Sequence, residues 1–279
     1  MPATAGEVLQ TAKGRLAAVS AHPRLDAETL LSHVLRCVRV DLLTHPERVL
    51  TSEEAARYES LIERRLRYEP IQYILGEQEF FGLPFEVTPD VLIPRPETEH
   101  LVEATLRLTE KSKILDVGTG SGAIAIALAH RSQNSHVTAV DISPAALAVA
   151  SRNAQRHRVD DRITFLQSDL LSSVAGTFDV IVSNPPYVSE SEVLEPQVAR
   201  YEPHSALFAG PTGFEIYQRM IPQAREHLKP GGWLLMEIGF GQSDAIRDLL
   251  SDWTNVNILN DLQGIPRIVQ AEANRILLA

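Results

Sequence analysis

Apolar positions recur at two different spacings along the chain, and the change of spacing divides it. Over residues 1–70 the spacing is helical: Leu25, Leu30, Leu31, Val34 and Leu35 recur at roughly the 3.6-residue repeat of one helix face. Thr4 with Glu7, and Thr51 with Glu54, stand three residues apart just ahead of such segments. That is the spacing of a capping box, in which a hydroxyl and a carboxylate satisfy each other's backbone N–H groups at a helix start. Glu69-Pro70 closes the region, because the residue before a proline is pushed out of the helical conformation. A small helical bundle over 1–70 is predicted. It contains no constellation of chemically active side chains, so its expected role is to dock a partner rather than only to act as a scaffold.

Residues 71–96 read differently. Phe80, Phe81, Phe85 and Val87 surround Gly82-Leu83-Pro84, the pattern of a short hairpin or an extended connector. In Ile93-Pro94-Arg95-Pro96-Glu97-Thr98-Glu99 the prolines hold the chain extended. The acidic residues that follow sit at the start of a helix expected to run to about Arg107, where they suit the helix N-terminus.

The third region, 97–279, alternates strand and helix signals. Strands are predicted at 113–117, 136–141, 162–167, 178–183 and 232–239, with helices between most of them. Two more, near 254–260 and 266–272, are separated by Asp261-Leu262-Gln263-Gly264-Ile265-Pro266 and read as an antiparallel pair. The expected fold class is α/β: a seven-stranded, mostly parallel, doubly wound sheet with helices on both faces, preceded by the small helical bundle.

Composition narrows the classes further. With 44% apolar and 22% charged residues the chain is a core-forming globular protein. Its apolar runs are strand-sized, so no membrane span is expected, and without a signal-peptide core a cytoplasmic location is expected, with an organellar one left open. Cys37 is the single cysteine and is flanked by Leu35 and Val38, which favours a packed thiol and excludes an intramolecular disulfide. The nine histidines form no close ligand array, and no metal is expected. A formal charge of −10 opposes stable nucleic-acid binding, which depends on neutralising phosphates.

Candidate chemistry begins at Lys113-Ile114-Leu115-Asp116-Val117-Gly118-Thr119-Gly120-Ser121-Gly122, which runs from a buried strand into a glycine-rich turn and a helix over Ala123–Ala129. Glycines there let the backbone turn sharply and approach a ligand. Nucleotide-binding folds of several kinds share such a turn, and the missing GKS/GKT ending argues against a P-loop. Asp141 ends the second strand, ahead of Ser143-Pro144, a helix cap followed by a first-turn proline. A carboxylate at that tip can accept both hydrogens of a ribose diol. Asp169, in Gln167-Ser168-Asp169-Leu170, ends a third unit; placed beside an adenine it could accept its amino group, and a capping role for it is about as well supported.

At the tip of the fourth strand stands Asn184-Pro185-Pro186-Tyr187. Two prolines stiffen the backbone and remove two donors, leaving carbonyls free to accept. The Asn184 side-chain oxygen and the Pro185 carbonyl could together hold a planar NH2 group, with Tyr187 stacked on it or covering it. An arrangement of this kind suits transfer of a methyl group from a sulfonium to a flat amide or amino nitrogen. Such a step needs orientation and exclusion of water more than it needs a metal or a covalent nucleophile.

Taken together, these segments resemble the release factor glutamine methyltransferase family over nearly the whole chain. The resemblance rests on Gln72-Tyr73-Ile74-Leu75-Gly76, Phe80-Phe81-Gly82, Ile93 through Glu99, Asp116 through Gly122 and Ser183 through Tyr187. It continues through Glu202-Pro203, Ala206-Leu207, Gly210, Gly213, Pro230-Gly231-Gly232, Glu237-Ile238-Gly239 and Gln242. It implies a class I, Rossmann-like methyltransferase domain and an enzyme that uses S-adenosyl-L-methionine and releases S-adenosyl-L-homocysteine. Its implied target is the side-chain nitrogen of the glutamine in the Gly-Gly-Gln loop of class 1 peptide-chain release factors. Carried onto this chain, it implies that Gly118, Thr119, Gly120, Ser121 and Gly122 line the cofactor. Asp141 would bind its ribose, and Leu170 would lie by its adenine. Asn184 and Pro185 would hold the substrate amide, with Pro186 beside them and Tyr187 on the pocket wall. The resemblance also implies that the helical domain helps to grip the release factor; a monomer is expected. Two alternatives share the same amide or amino chemistry: a ribosomal protein glutamine methyltransferase and an adenine-N6 nucleic-acid methyltransferase. A non-catalytic protein that kept the fold would leave the intact cofactor turn, Asp141 and Asn184 without a use.

Overall fold

In a computed structural model that describes residues 3–109 and 112–274, the chain forms two compact units. The first holds the described residues up to Glu77 together with Leu194–Tyr201; the second holds Gln78–Val193 and the described residues from Glu202 onward. The outer ends of the two predicted domains, 1–2 and 275–279, lie outside the described residues.

The first unit is built from α1 (Ala5–Leu16), α2 (Pro23–Leu35), α3 (Arg39–Thr44), α4 (Ser52–Leu66) and α5 (Ile71–Leu75). Both predicted capping boxes form. Thr4 and Glu7 exchange side-chain and backbone hydrogen bonds ahead of α1, and Thr51 and Glu54 do the same ahead of α4. Leu16, Leu30, Leu31, Val34 and Ile62 meet in its core. Leu25 departs from the predicted stripe and is 41% exposed. The α5 turn is another departure: residues 71–75 of the expected hairpin or extended connector are helical and bring Ile74 into the bundle core. Residues Leu194–Tyr201 join this unit through Gln197, which accepts from Arg65, and Tyr201, whose hydroxyl donates to the Arg67 carbonyl.

The second unit, from Gln78, opens within the hairpin β1 (Glu77–Phe80) and β2 (Leu83–Glu86), then α6 (Glu99–Leu106) and β3 (Lys113–Val117). It continues through α7 (Ala123–Arg131), β4 (His136–Asp141), α8 (Pro144–Arg156), β5 (Ile163–Gln167), β6 (Phe178–Ser183) and β7 (Val188–Ser189). A short helix of the first unit, α9 (Pro196–Tyr201), intervenes. There follow α10 (His204–Leu207), β8 (Phe208–Gly210), α11 (Glu215–His227), β9 (Leu228–Glu237), α12 (Ser243–Leu249), β10 (Thr254–Asn260) and β11 (Pro266–Glu272).

Seven of these strands form one sheet in the order β10-β11-β9-β6-β3-β4-β5. The five on the β9 to β5 side are parallel, and β11 pairs antiparallel with both β9 and β10. Alternation along the central strands sends their side chains to two cores. Ile114, Val180 and Val182 pack with α6 and α7, whereas Leu115, Val117 and Ile181 pack with α11 and α12. Helix α7 lies so close that Ala123 through Ala129 are all buried, which its alternating alanines permit. Each fully buried Ile or Leu there contributes roughly 1.5–3 kcal/mol relative to exposure.

The topology positions the site. From β3 the chain steps outward through β4 to β5 and then crosses back to β6 on the other side of β3. Ligands of open α/β sheets gather beyond the carboxyl ends of the strands at such a reversal.

Candidate active site

Val117, the last residue of β3, pairs with Val140 on one side and Ser183 on the other. The residues that follow each of them, Gly118, Asp141 and Asn184, therefore leave one sheet edge side by side. The Ser183 hydroxyl fastens two of these ends by donating to the Val117 carbonyl at 2.7 Å. The N–H groups of Gly118 and Thr119 both donate to the Val140 carbonyl at 2.9 Å.

The glycine turn alternates between facing out and facing in. Gly118 and Gly120 hold positive φ angles of 75° and 55°, and a Cβ on either would meet nothing within 4 Å. Between and after them Thr119, Ser121 and Gly122 are buried. The Thr119 hydroxyl donates to Asp116 at 2.7 Å, and the Ser121 carbonyl accepts from Asn153 at 2.9 Å. Gly122, at φ 81°, sits where a Cβ would come within 2.9 Å of Ile126 and 3.1 Å of Ala150. Because Gly122 has no side chain to cap α7, Asp116 does so from within the sheet, accepting the Ala125 N–H at 3.2 Å. Burial pushes the Asp116 carboxyl up to about 7.

Asp141 binds its own surroundings with both oxygens, accepting Gly120 N–H at 2.8 Å and Ser143 N–H at 2.9 Å. Burial raises its pKa above the usual carboxylate value, against those two bonds. Ser143 caps α8 as predicted, its hydroxyl accepting the Ala146 N–H at 3.1 Å. Asp169 is exposed and accepts from Arg219 of α11 at 2.6 Å. Leu170, next to it, adopts a left-handed φ of 51°.

Gly118, Gly120, Asp141, Asp169, Leu170, Asn184 and Pro186 line a single cavity of about 290 Å³. Thr119, Ser121, Gly122, Pro185 and Tyr187 do not line it. The first three of these turn inward to hold the loop. Pro185 is buried, and Tyr187 is half-buried with its ring beside Gly239. The Tyr187 carbonyl accepts from Gln242 at 3.1 Å, and the Gln242 side-chain oxygen in turn accepts Gly239 N–H at 2.8 Å.

Behind Asn184 lies a polar chain for which the residue pattern had suggested no role. The Asn184 amide donates to the Thr98 hydroxyl at 3.0 Å, and that hydroxyl donates to Glu237 at 2.6 Å. The Tyr187 hydroxyl lies 3.5 Å from the other Glu237 oxygen, and the Tyr217 hydroxyl donates to the Glu237 carbonyl at 2.9 Å. Burial pushes Glu237 up to about 7 and raises both tyrosines. One signal was available: Glu237 follows Leu234, Leu235 and Met236, all buried, so a carboxylate ends the buried apolar half of the strand. The proline-rich connector is pinned as well. Glu202, buried, accepts from Arg95 and from the Ile93 N–H, and Glu99 accepts the Phe81 N–H at 2.9 Å. Glu99 is thus a fastening for the hairpin.

Comparisons with known proteins agree with this architecture. The family described as the PrmC N-terminal domain matches residues 7–76, and the one described as the methyltransferase small domain matches residues 97–201. A release factor glutamine methyltransferase of Koribacter versatilis is 52% identical over 260 residues, covering 91% of this chain and 92% of that protein. One of Geobacter sulfurreducens is 42% identical over 273 residues, 95% of each chain. Among solved structures, a methyltransferase from Pyrococcus furiosus superposes with a TM-score of 0.54 at 23% identity over 70% of this chain and 91% of that one. The Thermus thermophilus 16S rRNA N2 G1207 methyltransferase does so with a TM-score of 0.54 at 20% identity, over 71% of this chain and 50% of that one. These likenesses are of fold, the class I methyltransferase sheet.

Proposed function

The chain belongs to the family of release factor glutamine methyltransferases, and from that membership we propose its reaction: methylation of the side-chain amide nitrogen (N5) of the glutamine in the Gly-Gly-Gln loop of class 1 peptide-chain release factors. The observation that carries this reading is that Asn184 lines the same cavity as Gly118, Gly120 and Asp141, within a chain 52% identical to such an enzyme over nine-tenths of its length.

S-adenosyl-L-methionine fits the residues present. The open space over Gly118 and Gly120 admits a ligand against the backbone. Asp141 faces the cavity with acceptor capacity left on both oxygens for a ribose diol. Leu170 supplies an apolar surface for adenine, and Asp169 an acceptor for its amino group, one of its oxygens being already held by Arg219. When bound, the cofactor supplies a methyl carbon made electrophilic by its sulfonium and leaves as S-adenosyl-L-homocysteine.

The protein's part is orientation. An amide nitrogen is a weak nucleophile because resonance withdraws its lone pair. The Asn184 side-chain oxygen and the Pro185 carbonyl accept its two hydrogens and fix it, so that positive charge growing on the nitrogen meets two fixed acceptor dipoles. Pro185, buried and outside the cavity lining, acts through its backbone carbonyl alone, while Pro186 shapes the wall and Tyr187 backs the turn from outside the lining and helps to exclude water. No general base is required, since the nitrogen becomes far more acidic once alkylated and releases its proton then.

The helical domain is the expected grip on the release factor, and a net charge of −10 suits a basic protein partner better than a nucleic acid. Among the described residues no helix is long and apolar enough to cross a membrane. Action as a monomer in the cytoplasm is part of the proposal.

The test is transfer of labelled methyl from S-adenosyl-L-methionine to a purified release factor and to its loop Gln→Asn variant, beside ribosomal proteins and DNA. Label is expected only on the unaltered factor. Persistent labelling of the variant, or preferential labelling of a ribosomal protein or DNA, would overturn the assignment.

A further inference from the structure

A carboxamide has nearly the same shape in either of its two orientations, but its two ends have opposite hydrogen-bonding character. For the role proposed above, on which this inference rests, the Asn184 oxygen has to face the substrate nitrogen. The reversed side chain would point a donor at a donor. Nothing in the Asn-Pro-Pro-Tyr turn itself selects between the two. Thr98 and Glu237 do.

We propose that Thr98 is a positioning residue for methyl transfer, committed by the Glu237 carboxylate to accept from Asn184 and thereby turning the Asn184 oxygen toward the substrate. The argument is one of proton count. A threonine hydroxyl has one hydrogen to give. Glu237, when ionised, can only accept, and at 2.6 Å from the Thr98 oxygen it takes that hydrogen. Thr98 is left with lone pairs alone for Asn184, 3.0 Å away, so Asn184 must present its NH2 group there and its oxygen on the opposite side. This conclusion holds whichever way the amide is first drawn, because it follows from the partners.

The surroundings protect the arrangement. Thr98 is 5% and Glu237 2% exposed, so water does not compete for either. Neither lines the cavity, which separates their role from contact with substrate or cofactor. The charged and titratable groups facing Glu237 are Glu97 ahead of α6, Tyr187 on the site turn, Tyr217 on α11 and Arg267 on β11. Arg267 favours the carboxylate form and Glu97 opposes it. Protonated Glu237 could donate to Thr98, whose hydrogen would then be free to turn toward Asn184 and reverse it. The carboxyl is pushed up to about 7, so this reversal falls within reach of ordinary buffers.

The test compares Thr98→Val, which keeps the shape and removes the hydroxyl, with Thr98→Ser, which restores it, against a purified release factor. For Thr98→Val, kcat is expected to fall about 10-fold, less than the ~10²–10³ that follows loss of a transition-state contact outright. KM for the release factor and calorimetric affinity for S-adenosyl-L-methionine should stay within about two-fold by the same reasoning, since uniform binding is untouched. Thr98→Ser should recover most of the rate. Unchanged kcat in Thr98→Val, or a serine variant as slow as the valine one, would overturn the proposal. A substrate-free arm uses the unaltered protein: the 15N–1H resonances of the Asn184 side chain should titrate together with the Glu237 carboxyl. If they do not move across that titration, Asn184 is not governed by Glu237 and the proposal fails, whether or not the valine variant folds. Absence of methylation by the unaltered enzyme would count against the release factor as substrate, and the NMR arm would still decide the orientation.

Discussion

Asp141 accepts the backbone N–H of Gly120 at 2.8 Å, so the carboxylate assigned to the cofactor's ribose also holds the turn on which the cofactor would lie. Its second oxygen fixes Ser143, the cap of α8. One side chain therefore ties the end of β4 to both neighbouring loops, and its loss acts twice.

Asp141→Ala should weaken S-adenosyl-L-methionine binding at least about 10-fold, since charge-assisted hydrogen bonds are each worth ~1.5–3 kcal/mol. Asp141→Asn, which keeps one accepting oxygen, should fall between. Calorimetric titration is the measurement, and an alanine variant with normal affinity would remove Asp141 from the cofactor site.

Gly120 and Gly122 should respond to alanine in opposite ways. At Gly120 the new methyl meets nothing within 4 Å, so Gly120→Ala costs only the left-handed backbone, roughly 1–2 kcal/mol, but it fills the space a cofactor would occupy. At Gly122 the methyl comes within 2.9 Å of Ile126 and 3.1 Å of Ala150, adding a packing clash of roughly 1–3 kcal/mol to the same strain. Urea unfolding should show the larger loss for Gly122→Ala, and calorimetry the larger loss of affinity per unit of stability for Gly120→Ala.

Asn184→Ala should lower kcat by at least ~10²-fold, the usual cost of a contact made in the transition state, while cofactor affinity stays near normal. Single-turnover methylation at saturating cofactor separates the two. A variant that binds cofactor poorly yet methylates at the normal single-turnover rate would reverse the assignment.

Two buried acids set a pH dependence of stability. Asp116 and Glu237 are both pushed up to about 7, from 3.8 and 4.5. For acids raised in the folded state, the native protein holds protons that the unfolded chain has released. Their stabilising contribution is therefore complete below about pH 4 and is lost as pH rises through about 7. Unfolding free energy should fall by roughly 3–4 kcal/mol per group across that interval and then level off. Glu237→Gln should flatten part of the slope in urea titrations at several pH values. The rate should run the other way, rising with pH through the same interval, because the Thr98–Asn184 arrangement needs Glu237 ionised.

Much of the fold was legible from local pattern because its causes are local. Strand positions follow from runs of buried apolar residues, and β3, β4, β6, β10 and β11 match the predicted ranges to the residue. The capping boxes at Thr4 and Thr51 involve partners three residues apart, and Ser143-Pro144 supplies both a cap and a first-turn proline for α8 from two adjacent residues. The bundle's last turn was missed: Ile71–Leu75 is a single short helix whose burial of Ile74 depends on the bundle core. The segment Leu194–Tyr201, far along the chain, joins the helical unit through Arg65 and Arg67, which no local pattern announces.

The site divides along the same line. The identities at the strand tips, Gly118, Asp141 and Asn184, were readable by themselves, because a glycine turn, a terminal acid and a proline-locked asparagine each carry their chemistry in a few consecutive residues. Their meeting at one edge depended on Val117 pairing with both Val140 and Ser183, a matter of sheet register. Which residues of the glycine turn face a ligand was also decided there: Asp116, buried beneath the turn, draws Thr119 inward and leaves Gly118 and Gly120 open. The orientation of Asn184 is the furthest from local pattern. Thr98 lies 86 residues before Asn184 and 139 before Glu237, and a hydrogen-bond chain across such separations exists only once packing has excluded water and brought the buried polar groups together as one another's partners.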